Sequence, residues 1–147
     1  MRAPCVVDVA LVLGTLACAS ATVQTKTPRI LACVHYDPEL VTLNGKLITV
    51  PKYGPPNFGE SPETDARLSV PILVLSRPVD VCADSTSEIN TSSFHGVREL
   101  QVIFHDSLGA RPFLDQNVIA TGTLFEHHTM NHYTDVLLSL KTIRASP

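Results

Sequence analysis

The sequence predicts a small, mostly all-β fold: a five-stranded barrel with at most one short helix. Three observations lead there. Five separate runs carry strand-like apolar patterning. One of them, from Val41 to Val50, changes its apolar face beside Gly45, as a strand does when it bends to serve two sides of a barrel. The one interval with room for a helix, His105 to Gln116, is broken by Gly109 and Pro112.

In chain order, Met1 and Arg2 lead into the apolar stretch Val6 to Ala17 and then Cys18-Ala19-Ser20-Ala21. A basic start, an apolar core too short to span a bilayer and an Ala-x-Ala end match a secretory signal peptide over 1–21, with Pro4 and Asp8 as departures from the pattern. The competing reading is an ordinary buried strand or helix, and a lesser one is a lipid anchor on Cys18 after Leu16-Ala17, against which Thr15 stands where such signals carry leucine. Residues 22–32 read as a polar tether, and 33–145 as a single domain.

Within that domain Val41, Leu43, Gly45 and Leu47 alternate with polar residues before the apolar face passes to Ile48 and Val50. Leu68 to Leu75 is the second run, with Pro71 favouring an edge or a bulge, and Val79 to Ala83 continues it after an Arg77-Pro78 turn. Leu100, Val102 and Phe104 mark the third. Val118 to Phe125 and Val136 to Ile143 complete the set, the former opening a hairpin with three of the chain's six histidines near its tip. Five strands with a short insert before the fourth describe an OB-like barrel, which hides its sheet edges by closure. The spacing Val41-x-x-x-Gly45-x-Leu47 returns as Val118-x-x-x-Gly122-x-Leu124, marking two strands that each bend at a glycine. The Pro51 to Asp65 loop holds Tyr53, Asn57 and Phe58 beside prolines, a candidate recognition surface set against an ordinary packed crossover. The Asp84 to Ser93 loop is solvent-like, and its Asn90-Thr91-Ser92 is formally a glycosylation sequon.

Signal cleavage would remove Cys5 and Cys18 and leave Cys33 and Cys82 of the chain's four cysteines. An even pair in an oxidising compartment suggests a disulfide, the alternative being two unrelated buried thiols. Neither belongs to a C-x-x-C pair, so thiol redox catalysis has no local signature. A formal net charge of -3 without a basic cluster argues against nucleic-acid binding. No second long apolar run follows the signal, so no transmembrane segment is expected after cleavage. The chain also lacks a Gly-x-Ser-x-Gly elbow, a His-Glu-x-x-His helix and a glycine-rich phosphate loop.

Several ordered motifs resemble a family. Cys33-Val34-His35-Tyr36-Asp37-Pro38-Glu39, Val41-Thr42-Leu43-Asn44-Gly45-Lys46-Leu47, Gly54-Pro55-Pro56-Asn57-Phe58, Pro78-Val79-Asp80-Val81-Cys82 and Thr121-Gly122-Thr123-Leu124-Phe125, followed by Thr129, His132 and Thr134, are similar to the bacterial domain of unknown function DUF4431. The resemblance spans about residues 33 to 143. It implies an exported envelope domain in which the cysteines at Cys33 and Cys82 recur, and it supplies no activity. Where members often carry a Thr-Gly-His-His-His-Thr-Pro run, this chain retains Thr129, His132 and Thr134 but has Met130, Asn131, Tyr133 and Asp135 at the other places.

Two function classes follow. The first is a noncatalytic extracytoplasmic binding or accessory domain, periplasmic or secreted, whose partner is an envelope protein or small ligand. Its candidate contacts are Tyr53, Asn57, Phe58, Thr129, His132, Tyr133 and Thr134. The second is a small metal-binding protein or metal-dependent enzyme centred on a divalent transition metal at His128 and His132. A zinc site normally takes three or four ligands, and adjacent His127 and His128 point to opposite faces of an extended strand. Glu126, Asp135 or His35 would have to complete the set. No catalytic residue and no other cofactor is expected.

Overall fold

The computed structural model describes residues 33–105 and 111–147. The expected signal peptide, the tether and the Cys18 anchor lie outside the described residues, as does 106–110 of the expected helical insert. The described strands are β1 (Val34–His35), β2 (Leu40–Tyr53), β3 (Arg67–Cys82), β4 (Phe94–Ile103), β5 (Asn117–Glu126) and β6 (Val136–Ala145), with a single 3-10 turn at Arg111–Phe113.

Strand β2 pairs antiparallel with β5 through its first half and with β3 through its second. β5 continues antiparallel to β6, β6 runs parallel to β4, and β4 returns antiparallel to β3. The pairings β3-β2-β5-β6-β4-β3 therefore close a ring of five strands, the OB-like connection expected, while β1 adds outside it, parallel to the end of β3. Three details differ from the expected pattern. β3 passes through Arg77-Pro78 without a turn, absorbing Pro78 in register shifts against β4 between Val74 and Val81. β4 starts earlier, at Phe94, and β1 had no strand signal of its own because two residues are too few to show a period.

The glycine echo has a geometric cause. β2 and β5 pair so that Val41 lies opposite Gly122 and Gly45 opposite Val118, which places the two matching segments head to tail. A Cβ on Gly45 would run into the Val74 carbonyl oxygen, and one on Gly122 into the Ser139 carbonyl oxygen. Each glycine thus lets the next strand, β3 or β6, approach at the bend; β6 bulges there, between its pairings with Thr121 and Gly122. Val41, Leu43, Leu47, Leu73, Leu100, Val118, Leu124 and Leu138 are buried in one cluster inside the ring. Each such aliphatic side chain contributes about 1.5–3 kcal/mol on burial. Beyond Leu47 the face of β2 changes as expected, and Ile48 and Val50 sit opposite Ile72 and Val70 of β3.

At one end of the ring Cys33 and Cys82 form a disulfide that ties β1 to the end of β3. The β3–β4 loop there is less solvent-like than its composition. Asn90 is buried, its side-chain oxygen accepts the Glu126 N–H at 3.0 Å, and its carbonyl accepts the Asp84 N–H at 2.8 Å. An asparagine held this way is not presented for glycosylation in the folded domain. Tyr36, also buried, donates its hydroxyl to the Ser92 carbonyl at 2.9 Å. Burial, with the charge of Glu126 adding to it, pushes the Tyr36 phenol up to about 12.

Candidate functional site

At the far end of β2 the 54–66 loop is organised by one carboxylate. Asp65 is buried and accepts N–H bonds from Asn57 at 2.8 Å, Gly59 at 2.7 Å and Ser61 at 3.2 Å. Burial by itself would raise its pKa; the three N–H donors outweigh that and hold the carboxyl below its usual range. Asn57 and Phe58 serve this loop internally: the Asn57 carbonyl accepts from Glu60 N–H, and Phe58 N–H donates to the Gly54 carbonyl. Where the loop rejoins the sheet, the Arg67 guanidinium stacks 4.0 Å from the centre of the Tyr53 ring.

The 127–135 loop joins β5 to β6 and folds back on itself. His127 N–H donates to the Asp135 carbonyl, His132 N–H to the Thr129 carbonyl, and His128 N–H to His132 Nδ1 at 3.2 Å. The His128 and His132 rings meet edge to face with centroids 4.7 Å apart, and the His132 ring also packs against Phe125 at 5.5 Å. Burial, then repulsion from His128 and His127, lowers the His132 pKa. His132 thus joins the loop through its backbone N–H and its Nδ1, not through a threonine hydroxyl. Thr134 Oγ1 instead accepts the Gln101 N–H at 2.9 Å and donates to the Val136 carbonyl at 2.7 Å.

Gln101 of β4 anchors the loop and is the residue that patterning missed. It is buried; its Nε2 donates to the Asn131 carbonyl at 3.1 Å and its Oε1 accepts the Tyr133 N–H at 2.7 Å. Held there, Tyr133 donates its hydroxyl to the Tyr53 carbonyl at 2.8 Å, so one bond ties the 127–135 loop to the end of β2. Lys52 Nζ lies 6.0 Å from the centre of the Tyr133 ring. Beside this bridge runs a groove of about 390 Å³, open to solvent, over β3 and β4, lined by Leu68, Val70, Pro71, Ile103, Asn131 and Tyr133 among others. Of the expected contact residues, Tyr53 and Tyr133 meet at its rim. Thr129, His132 and Thr134 belong to the 127–135 loop that contributes Asn131 and Tyr133 to its lining, while Asn57 and Phe58 lie in the 54–66 loop and are not among the lining residues.

The larger cavity, about 540 Å³, lies where β4 and β6 diverge, between Phe94–Glu99 and Tyr133–Val136. Its lining is polar and of mixed character, with His95, Arg98, Glu99 and Asp135 along its walls, and His95 Nδ1 lies 3.5 Å from Asp80 Oδ2. A third, of about 400 Å³, is lined by His35, Asp37, Glu39 and Asp84 at the disulfide end. Among the described residues no group of three or more His, Cys, Asp or Glu side chains is placed to hold a metal ion. His128 and His132 bring two imidazoles together, and the Nδ1 atom of each is already engaged, that of His128 with the Glu126 carbonyl at 3.0 Å.

Fold and site together define a disulfide-stapled, OB-like β domain with an open groove over β3 and β4 beside the anchored 127–135 loop. Residues 99–144, from the end of β4 through β6, match the family model described as "Domain of unknown function (DUF4431)", the same family that the motifs resemble. No curated protein and no solved structure matches the chain.

Proposed function

We propose that this is a noncatalytic extracytoplasmic binding or accessory domain of the bacterial envelope, which takes its ligand in the groove over β3 and β4. The observation that carries the reading is the Tyr133 to Tyr53 bond, which fixes the 127–135 loop to the end of β2 at the edge of the groove. In OB-like barrels the corresponding face, between the loop after the first barrel strand and the loop before the last, is where ligands bind. That is an analogy of fold, and the anchored groove gives it local content. The Cys33–Cys82 disulfide fits an oxidising compartment. Among the described residues no helix is long and apolar enough to cross a membrane, which leaves membrane-crossing by strands unaddressed.

Photocrosslinking tests the reading. A photoreactive residue at position 68 or 133 should give a discrete adduct in envelope extract, competed by excess wild-type domain and not by a Tyr133→Ala domain. The same residue at position 42, on the outer face of the β2–β5 pairing, should give none. Identical adducts from all three positions would overturn the reading.

A further inference from the structure

The chemistry of the groove narrows its occupant. None of the residues lining it is charged, in a chain whose formal net charge is -3. Its floor is aliphatic: Leu68 and Ile103 are half-buried, and Val70 is buried but stands outside the cluster within the ring. On the same face, Lys52 is the cross-strand partner of Leu68 and reaches toward Tyr133. Among the described residues no carboxylate lies within ion-pair distance of Lys52, although Glu60 and Glu63 stand exposed in the nearby loop. Asn131 is exposed in the lining, and its side chain makes no hydrogen bond among the described residues.

We propose, resting on the binding reading above, that the groove takes an apolar peptide segment bearing a carboxylate. Its apolar side chains lie on Leu68, Val70 and Ile103, and its carboxylate lies against Lys52. The Asn131 carboxamide, donor and acceptor at once, satisfies peptide N–H and C=O groups, partners that a peptide backbone needs and an acyl chain does not. An open groove also suits side chains presented from a backbone better than an acyl chain, whose binding depends on being enclosed.

Fluorescence anisotropy and amide chemical-shift mapping on the oxidised domain test this with synthetic probes. One peptide alternates leucine and aspartate, a second has asparagine for aspartate, and dodecanoate serves as an acyl carboxylate. The acidic peptide should bind saturably and shift amides of residues 68–70, 101–104 and 131–133. Lys52→Gln should weaken it roughly three- to fivefold, the contribution of an exposed ion pair. Leu68→Ser should weaken it roughly tenfold or more. Both positions are at most half-buried, and the same spectra report whether each variant is folded. Equal binding of the asparagine peptide in the groove would overturn the carboxylate assignment and leave the groove reading standing. Tighter groove binding by dodecanoate would overturn the peptide assignment. Shifts confined to another surface, or no saturable binding by any probe, would overturn both.

Discussion

A single glutamine decides the shape of the groove's wall. Gln101 sits in β4 between buried Leu100 and Val102, on the opposite face from both, and places its carboxamide under the 127–135 loop. Replacing it with methionine keeps most of the volume while leaving the Tyr133 N–H and the Asn131 carbonyl without their partners. Gln101→Met should cost about 1–3 kcal/mol in chemical denaturation, and it should loosen Tyr133 from Tyr53, read as faster exchange of the Tyr133 amide. Unchanged stability and exchange would mean that the loop holds its conformation by itself. His132 bears on the same loop through pH. Its folded pKa is lowered, so the unfolded chain binds the proton more readily, and the neutral ring's contribution is fully present above about 6.5. That contribution falls as pH drops from there toward the folded value. Denaturation midpoints at pH 7.5 and pH 5 should therefore differ more for wild type than for His132→Asn, whose side-chain oxygen still accepts the His128 N–H without titrating. An equal difference in both proteins would remove His132 as the source.

At the scale of elements, the barrel depends on two close approaches. Gly45 and Gly122 each leave room for a neighbouring carbonyl, of Val74 and Ser139, at the bends of β2 and β5. Alanine at either site forces backbone against backbone, which side-chain adjustment cannot relieve. Each single substitution should destabilise by about 1–3 kcal/mol or more, the range for overpacking in a dense interior. Gly59→Ala is no control, because its positive φ adds strain of its own; Ser69→Ala, exposed on β3, should change the midpoint little. Both glycines losing no more than Ser69 would show that the strands can move apart at no cost. These bends were readable beforehand because they leave a mark in local patterning: a change of apolar face at Gly45 and its echo at Gly122. The loops were less legible. Asp65 closes its own loop through three backbone N–H groups, and Gln101 holds a loop thirty residues away by sequence number. Neither leaves a period or a motif, since a buried polar residue that serves distant backbone looks in sequence like any other polar residue. Tyr53 and Tyr133 were singled out separately, and their direct bond follows from tertiary closure alone.

At the scale of the whole molecule, the disulfide and the groove loops occupy opposite ends of the β2–β3 hairpin, and this separation gives a test of how the domain is held. Cys33 and Cys82 are 49 residues apart in sequence, so the bridge closes a loop that contains all of β2 and nearly all of β3. In the chain-entropy picture such a loop contributes about 4 kcal/mol, by limiting the unfolded chain more than by adding native contacts. The double variant Cys33→Ser, Cys82→Ser should lose up to about that much stability relative to the oxidised wild type. In the folded state the change should stay local: β1 pairs with β3 through Val34 and His35 alone, so their amides should lose protection first. The ring β3-β2-β5-β6-β4 closes without β1, and Gln101, Tyr133 and Tyr53 lie in it or on its loops, so the groove amides should keep their shifts. Native-state hydrogen exchange of the two proteins separates these effects. Equal loss of protection at β1 and at the 127–135 loop would show that the bridge sustains the whole barrel, and that stability and groove geometry are coupled through β3.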